Sequence, residues 1–237
     1  MNVRRSTITK CAALLLVTVF VQGCVTSTHQ KITQLARTDN APKVLLMPVD
    51  VTLGHLTAGG LFEPQAEWTT AAEKHVGTAL DRFLSGRNVI LVPYKEPGNG
   101  DRANTHDQIV KLHRVVGSSI RIHQYVPAFQ LPTKKTGFDW SLGPEVERLA
   151  EEFDADYALF VYMKDSYATA GRAAAMVFAA ILGVGIQGGT QIGYASLVDL
   201  KNGEIVWFNA LGRGEGDLRK EKPAAETVNL LMTKFPQ

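Results

Sequence analysis

A chain of 237 residues, 45% hydrophobic, 20% charged and 8% aromatic, is long enough to bury one sizeable core. Its 25 Lys plus Arg against 23 Asp plus Glu give a formal net charge of +2, without the concentrated basic stretch that a nucleic-acid footprint needs. Two cysteines exclude a disulfide-stapled scaffold and a cysteine-rich zinc site.

Arg4, Arg5 and Lys10 make a basic start, with no acid before Asp39. Residues 11–21 follow as an apolar run of eleven. A helix needs about 20 apolar residues to cross a bilayer, so this run reads as a secretory signal rather than a permanent anchor. Val21-Gln22-Gly23-Cys24 then resembles the bacterial lipobox. The resemblance implies a diacylglyceryl group on the Cys24 thiol, cleavage before Cys24, and acylation of the new amine by a palmitate-type chain. Two or more acyl chains, at about 0.8 kcal/mol per buried methylene, hold a protein stably on a membrane. Residue 25 is Val and not Asp, which by the same resemblance implies the outer membrane with the domain facing the periplasm. Loss of residues 1–23 would leave 22 basic and 23 acidic side chains, a net charge of −1.

Residues 24–42 read as the lipidated cysteine and a polar tether, and residues 43–237 as one α/β domain. Residues 43–49 (KVLLMPV) form a first strand closed by Pro48, and residues 54–64 a glycine-rich loop. Trp68, Ala72, Val76, Ala79, Leu80 and Phe83 recur at helical spacing, and residues 88–93 (NVILVP) form a second strand. Ile109, Leu112, Val116 and Ile120 share a helical face. Residues 126–144 hold three prolines and read as a long loop. Val146, Leu149, Ala150 and Phe153 predict a further helix. Residues 157–163 (YALFVYM) are apolar on both faces, as a central strand is. Residues 191–200 and 204–212 predict a hairpin turning at Lys201-Asn202-Gly203, and residues 223–235 a last helix. The order predicts a mixed sheet covered by helices, ending in an antiparallel hairpin and a C-terminal helix.

Val44-Leu45-Leu46-Met47-Pro48, Asp154-Ala155-Asp156-Tyr157-Ala158-Leu159-Phe160-Val161 and the hairpin Val198-Asp199-Leu200-Lys201-Asn202-Gly203-Glu204-Ile205-Val206-Trp207 together carry a resemblance. They are similar to bacterial outer-membrane lipoproteins with a TolB N-terminal-like domain. That group includes the curli secretion channel lipoprotein and the B-type activator of penicillin-binding protein. The resemblance spans roughly residues 43–235 and implies a domain that binds envelope proteins or assembles into rings, without catalysis. About thirty residues follow the hairpin, too few for a second long membrane hairpin, so a curli-type pore is not expected.

Gly183-Val184-Gly185-Ile186-Gln187-Gly188 fits the dinucleotide fingerprint in letters but precedes a strand, not a helix, so it reads as a turn. His106 and His113 lie seven apart on one helix edge without a ligand-spaced carboxylate, and read as ordinary polar surface groups rather than metal ligands. No nucleophile elbow is present, and a lipidated Cys24 offers no free thiol. Glu147, Glu151, Glu152, Asp154 and Asp156 read as a solvated helix face. Residues 173–186 are fourteen without a polar side chain, too few to span a membrane. They read as a buried or subunit-facing helix, with Val177, Phe178 and Ile181 as partner-binding candidates. Phe129, Phe138 and Trp140, in the proline-containing loop, are candidates for a partner contact or for pinning that loop to the domain.

The expectation is a non-enzymatic outer-membrane lipoprotein, held by Cys24 and without cofactor or metal. It would act as a periplasmic adaptor or ring subunit, with an envelope protein or further copies of itself as partner. An activator docking on a peptidoglycan synthase is the alternative, and a metal-dependent hydrolase the third reading.

Overall fold

The computed structural model describes residues 25–35, 41–135 and 137–237; the segment read as a signal and Cys24 lie outside them. Eight strands form one open mixed sheet: β1 (Val25–Gln30), β2 (Lys43–Leu46), β3 (Asp50–Leu56), β4 (Phe62–Pro64), β5 (Ile90–Pro93), β6 (Tyr157–Ala168), β7 (Gln191–Asp199) and β8 (Ile205–Arg213). The order across the sheet is β1-β8-β7-β6-β2-β5, with β3 also on β6 and β4 on β3. Five helices join them: α1 (Ala66–Ser85), α2 (Asp101–His123), α3 (Glu147–Phe153), α4 (Ala170–Ile181) and α5 (Glu221–Leu231).

β6 organises the sheet. Its first residues pair in parallel with β2 and its later ones with β3, because Pro48 cannot continue the ladder and the chain steps over it before resuming along the same neighbour. Side chains alternate across β6. Leu159, Val161 and Met163 enter a core with α1 and α5, while Ala158 and Phe160 enter a second core with α2 and α3. Burial on both faces is what the unbroken apolar run over residues 157–163 required.

The hairpin turns where expected. Gly203 adopts φ 74° and its Cα sits against Gly143, where a Cβ would fall 2.0 Å from the Gly143 carbonyl oxygen. Only glycine meets both demands. Asn202 Oδ1 accepts from the Glu204 amide at 2.9 Å and completes the turn.

Three expectations are corrected here. The polar segment read as a tether is in part a strand: residues 25–30 pair antiparallel with β8, from Val25 opposite Gly212 to Gln30 opposite Trp207. Its backbone is claimed because β8 would otherwise end the sheet with an open edge. Tyr125 donates its hydroxyl to the Ser27 carbonyl at 2.8 Å, and Leu35 is buried in the first core. Residues 25–30 are therefore part of the sheet. Second, part of the glycine-rich stretch 54–64 is ordered as the β3–β4 hairpin. Third, His106 and His113 are not surface groups. Both lie on the buried side of α2.

Candidate functional site

The register locates the end of the sheet that carries α4. Val25 pairs with Gly212, Gly212 with Ile192, and Ile192 with Lys164 on β6. Three strand spacings, about 14 Å in all, thus separate the start of β1 from Lys164 on β6. Four residues past Lys164, β6 ends at Ala168, opposite Leu56 of β3, and α4 begins two residues later. The chain position immediately after Cys24 and the apolar helix therefore share one end of the sheet.

α4 does not bury itself. Thr169 caps it, accepting the Arg172 amide at 3.2 Å, and only Arg172 and Ala179 along its length are buried. Val177, Phe178 and Ile181 are 65%, 66% and 77% exposed, and Leu182 and Val184 continue the surface beyond the helix. Leu61, at the tip of the β3–β4 hairpin, adds another exposed apolar side chain at the same end. The buried-helix branch of the expectation is overturned for α4. No helix among the described residues is long and apolar enough to cross a membrane.

The aromatic loop divides. Phe138 stacks on His29 of β1 with centroids 5.3 Å apart, and Trp140 donates from Nε1 to Gln124 Oε1 at 3.5 Å. Both pack against the second core and pin the loop over β1. Phe129 stays exposed. It extends a second apolar stripe that sequence reading missed: Leu112, Val115 and Ile122 on the outer side of α2, then Val126. Within α2, with Ser119 filling one position, residues 112, 115, 119 and 122 alternate at three and four residues, which is the spacing of a helix-packing seam, while Val126 and Phe129 lie past the helix end.

The histidines are engaged inside. His106 contacts the Tyr94 hydroxyl through Nδ1 at 3.1 Å and Glu152 through Nε2 at 3.1 Å. Glu152 is thereby drawn off the solvated helix face assigned to it. Tyr94 and His106 line a cleft of about 820 Å³ between α1 and α2, with Met47, Val49, Leu91 and Val110 as apolar walls. His113 contacts Ser196 Oγ through Nε2 at 2.9 Å and stacks on Phe160, and burial pushes its pKa down to about 3. Among the described residues no three His, Cys, Asp or Glu side chains are grouped to hold a metal. The stretch 183–188 leads from α4 into β7 as irregular chain, with no helix for a dinucleotide phosphate to sit on.

No family model matches the chain, and no curated protein matches it. Among solved structures it is similar to the PelC dodecamer from Paraburkholderia phytofirmans, at 12% identity over 90% of this chain and 96% of that chain, with a TM-score of 0.44. A single-substitution variant of that dodecamer in another crystal form matches at 12% identity, over 90% and 97% of the two chains, with a TM-score of 0.42.

Proposed function

We propose that the protein is a non-enzymatic lipoprotein of the outer membrane, held by lipid on Cys24, whose domain rests on the bilayer by its α4 end and offers its α2 side to a partner chain. One observation carries this reading: β1 starts at the residue after Cys24, at the end of the sheet where α4 stands exposed. A lipid on Cys24 brings that end to the membrane surface. Val177, Phe178, Ile181 and Leu61 then meet acyl chains instead of water, and each buried apolar side chain adds to the anchoring. With residue 25 already in the sheet there is no spacer, which disfavours an activator that must reach across the peptidoglycan.

Partner binding falls to the stripe of Leu112, Val115, Ile122, Val126 and Phe129, which runs along a different element from the membrane face. Its occupant is an envelope protein or a neighbouring copy in a ring.

The test is an environment-sensitive fluorophore placed on Phe178→Cys or on Asn202→Cys in the lipidated protein in vesicles. Position 178 should shift to the blue and be quenched by brominated lipid, and position 202 should do neither. Quenching at 202 but not at 178 would sink the orientation. Replacing Val115 and Ile122 with Ser should remove crosslinks to the partner while leaving membrane attachment intact. Retained crosslinks would remove the stripe from the proposal.

A further inference from the structure

Arg172 is the one buried Lys or Arg among the described residues, 9% exposed, and no carboxylate pairs with it. Its Nε and Nη2 donate to the Gln187 carbonyl at 3.0 and 2.6 Å, and Nη1 to the Thr57 carbonyl at 3.2 Å. A guanidinium has five N–H donors, so two remain, one on each terminal nitrogen. Carbonyl dipoles orient the group but do not neutralise it, and burying a cation without a counter-charge is costly.

Beside it lies a cavity of about 260 Å³, lined by Arg172, Lys164, Phe62, Ser166, Gly188 and Thr190 among others, and by no acidic residue. The Lys164 ammonium lies 4.0 Å from the centroid of the Phe62 ring and makes no ion pair. Phe62 reaches that position by folding over Gly54, where a Cβ would come within 2.7 Å of its ring. The nearest acid in sequence, Asp165, faces the other side of the sheet and accepts from Tyr167 Oη at 2.6 Å and Gln191 Nε2 at 2.8 Å. Arg172 also sits in the first turn of α4, where the helix dipole adds positive potential.

We infer that this cavity binds the phosphate of an anionic membrane lipid, held between the free donors of Arg172 and the ammonium of Lys164. The choice of a lipid rests on the membrane orientation proposed above: the cavity opens beside α4, at the end of the sheet where β1 starts, so a headgroup would enter while its acyl chains lie along Val177 and Ile181. Arginine provides the fork that matches phosphate oxygens and lysine a mobile point charge.

The experiment uses the full lipidated chain in dodecyl maltoside and native mass spectrometry with dihexanoyl phosphatidylglycerol, dihexanoyl phosphatidylcholine and inorganic phosphate. One phosphatidylglycerol should bind in preference to phosphatidylcholine, with inorganic phosphate competing. Lys164→Gln should weaken it about tenfold, the loss of one charge-assisted contact. Arg172→Gln should weaken it further, but that change also frees two backbone carbonyls. Lys164→Gln is therefore the deciding variant, since its ammonium touches only an aromatic face, and its melting temperature should match the parent.

Unchanged binding in a folded Lys164→Gln protein would overturn the site. Tight inorganic phosphate that phosphatidylglycerol fails to displace would overturn the lipid assignment. The anchoring proposal is judged separately, by the acyl mass on Cys24 and by quenching at position 178, so either reading can fail while the other stands.

Discussion

The two ends of the sheet are built from opposite materials. One holds the start of β1, the Leu61 turn, α4 and the cationic cavity. Leu61, Val177, Phe178 and Ile181 are exposed there, and its long connection (residues 182–190) holds no helix or strand. The other holds the Lys201-Asn202-Gly203 turn, the start of β2 and the end of α3, fastened by polar contacts. Lys31 pairs with Glu204 at 3.2 Å, the Lys43 amide donates to Asp156 Oδ2 at 2.8 Å, and its ammonium pairs with Asp154. The polar end closes the domain against water. The apolar end leaves Leu61, Val177, Phe178 and Ile181 exposed.

The largest effect should follow from Cys24→Ala. Without a lipid the α4 end has only its own apolar side chains to hold the membrane, and a face of this size gives reversible binding. The protein should move from the membrane to the soluble fraction, checked by fractionation and by the intact mass of the mature chain. A variant that stays through a high-salt wash would mean that α4 alone suffices.

Glycines sharpen the contrast. Gly203→Ala at the polar end meets both a positive φ and the Gly143 carbonyl, and should cost about 2 kcal/mol or more. Gly185→Ala, in the connection after α4, meets nothing within 4 Å and should change stability by less than about 0.5 kcal/mol. Urea unfolding of the two variants measures the difference. Equal costs would mean that the α4 end is packed as tightly as the hairpin turn.

Much of this was legible in the sequence. The central strand, the hairpin and the helices over residues 66–84 and 223–235 carry apolar periods that only one arrangement can bury. β1 was not legible because its letters, Val-Thr-Ser-Thr-His-Gln, suit a tether as well as an edge strand. The choice was made by β8, some 180 residues away. The histidines were misread because their partners, Glu152 and Ser196, are remote in sequence. The apolar run over residues 173–186 was seen, but its exposure depends on where β6 ends. Arg172 left one signal: it is the charged residue that heads that run.

A smaller, pH-dependent effect belongs to the interior that both ends share. Burial keeps His113 neutral when folded, with its pKa lowered from 6.5 to about 3. In the unfolded chain the imidazole takes a proton as pH falls below 6.5, so acid favours unfolding. The stability is fully present above pH 6.5 and should decline through the window down to about 3, by at most about 1.4 kcal/mol per pH unit. Urea midpoints at pH 7 and pH 5.5 would show the loss, and His113→Gln should flatten it. An unaltered slope in that variant would assign the acid sensitivity to other groups.

The smallest effect is expected at the polar end, from Asp154. It caps α3 in the left-handed region, at φ 50° and ψ 51°, while its exposed carboxylate pairs with the half-buried Lys43 ammonium. Two causes compete for any change there. An exposed ion pair contributes about 0–1 kcal/mol and is screened by salt, whereas the backbone preference acts in any solvent. Asp154→Asn keeps a residue that tolerates the left-handed region and loses only the pair, so it should cost less than about 0.5 kcal/mol. Asp154→Gly loses the pair but gains an unstrained cap, and should come out near the parent. Asp154→Val should cost about 1–2 kcal/mol, because a β-branched side chain resists this conformation. Thermal or urea unfolding at low and high salt separates the two causes. If Asn proved as costly as Val, and added salt erased both losses, the ion pair rather than the backbone would be what fastens this end of the sheet.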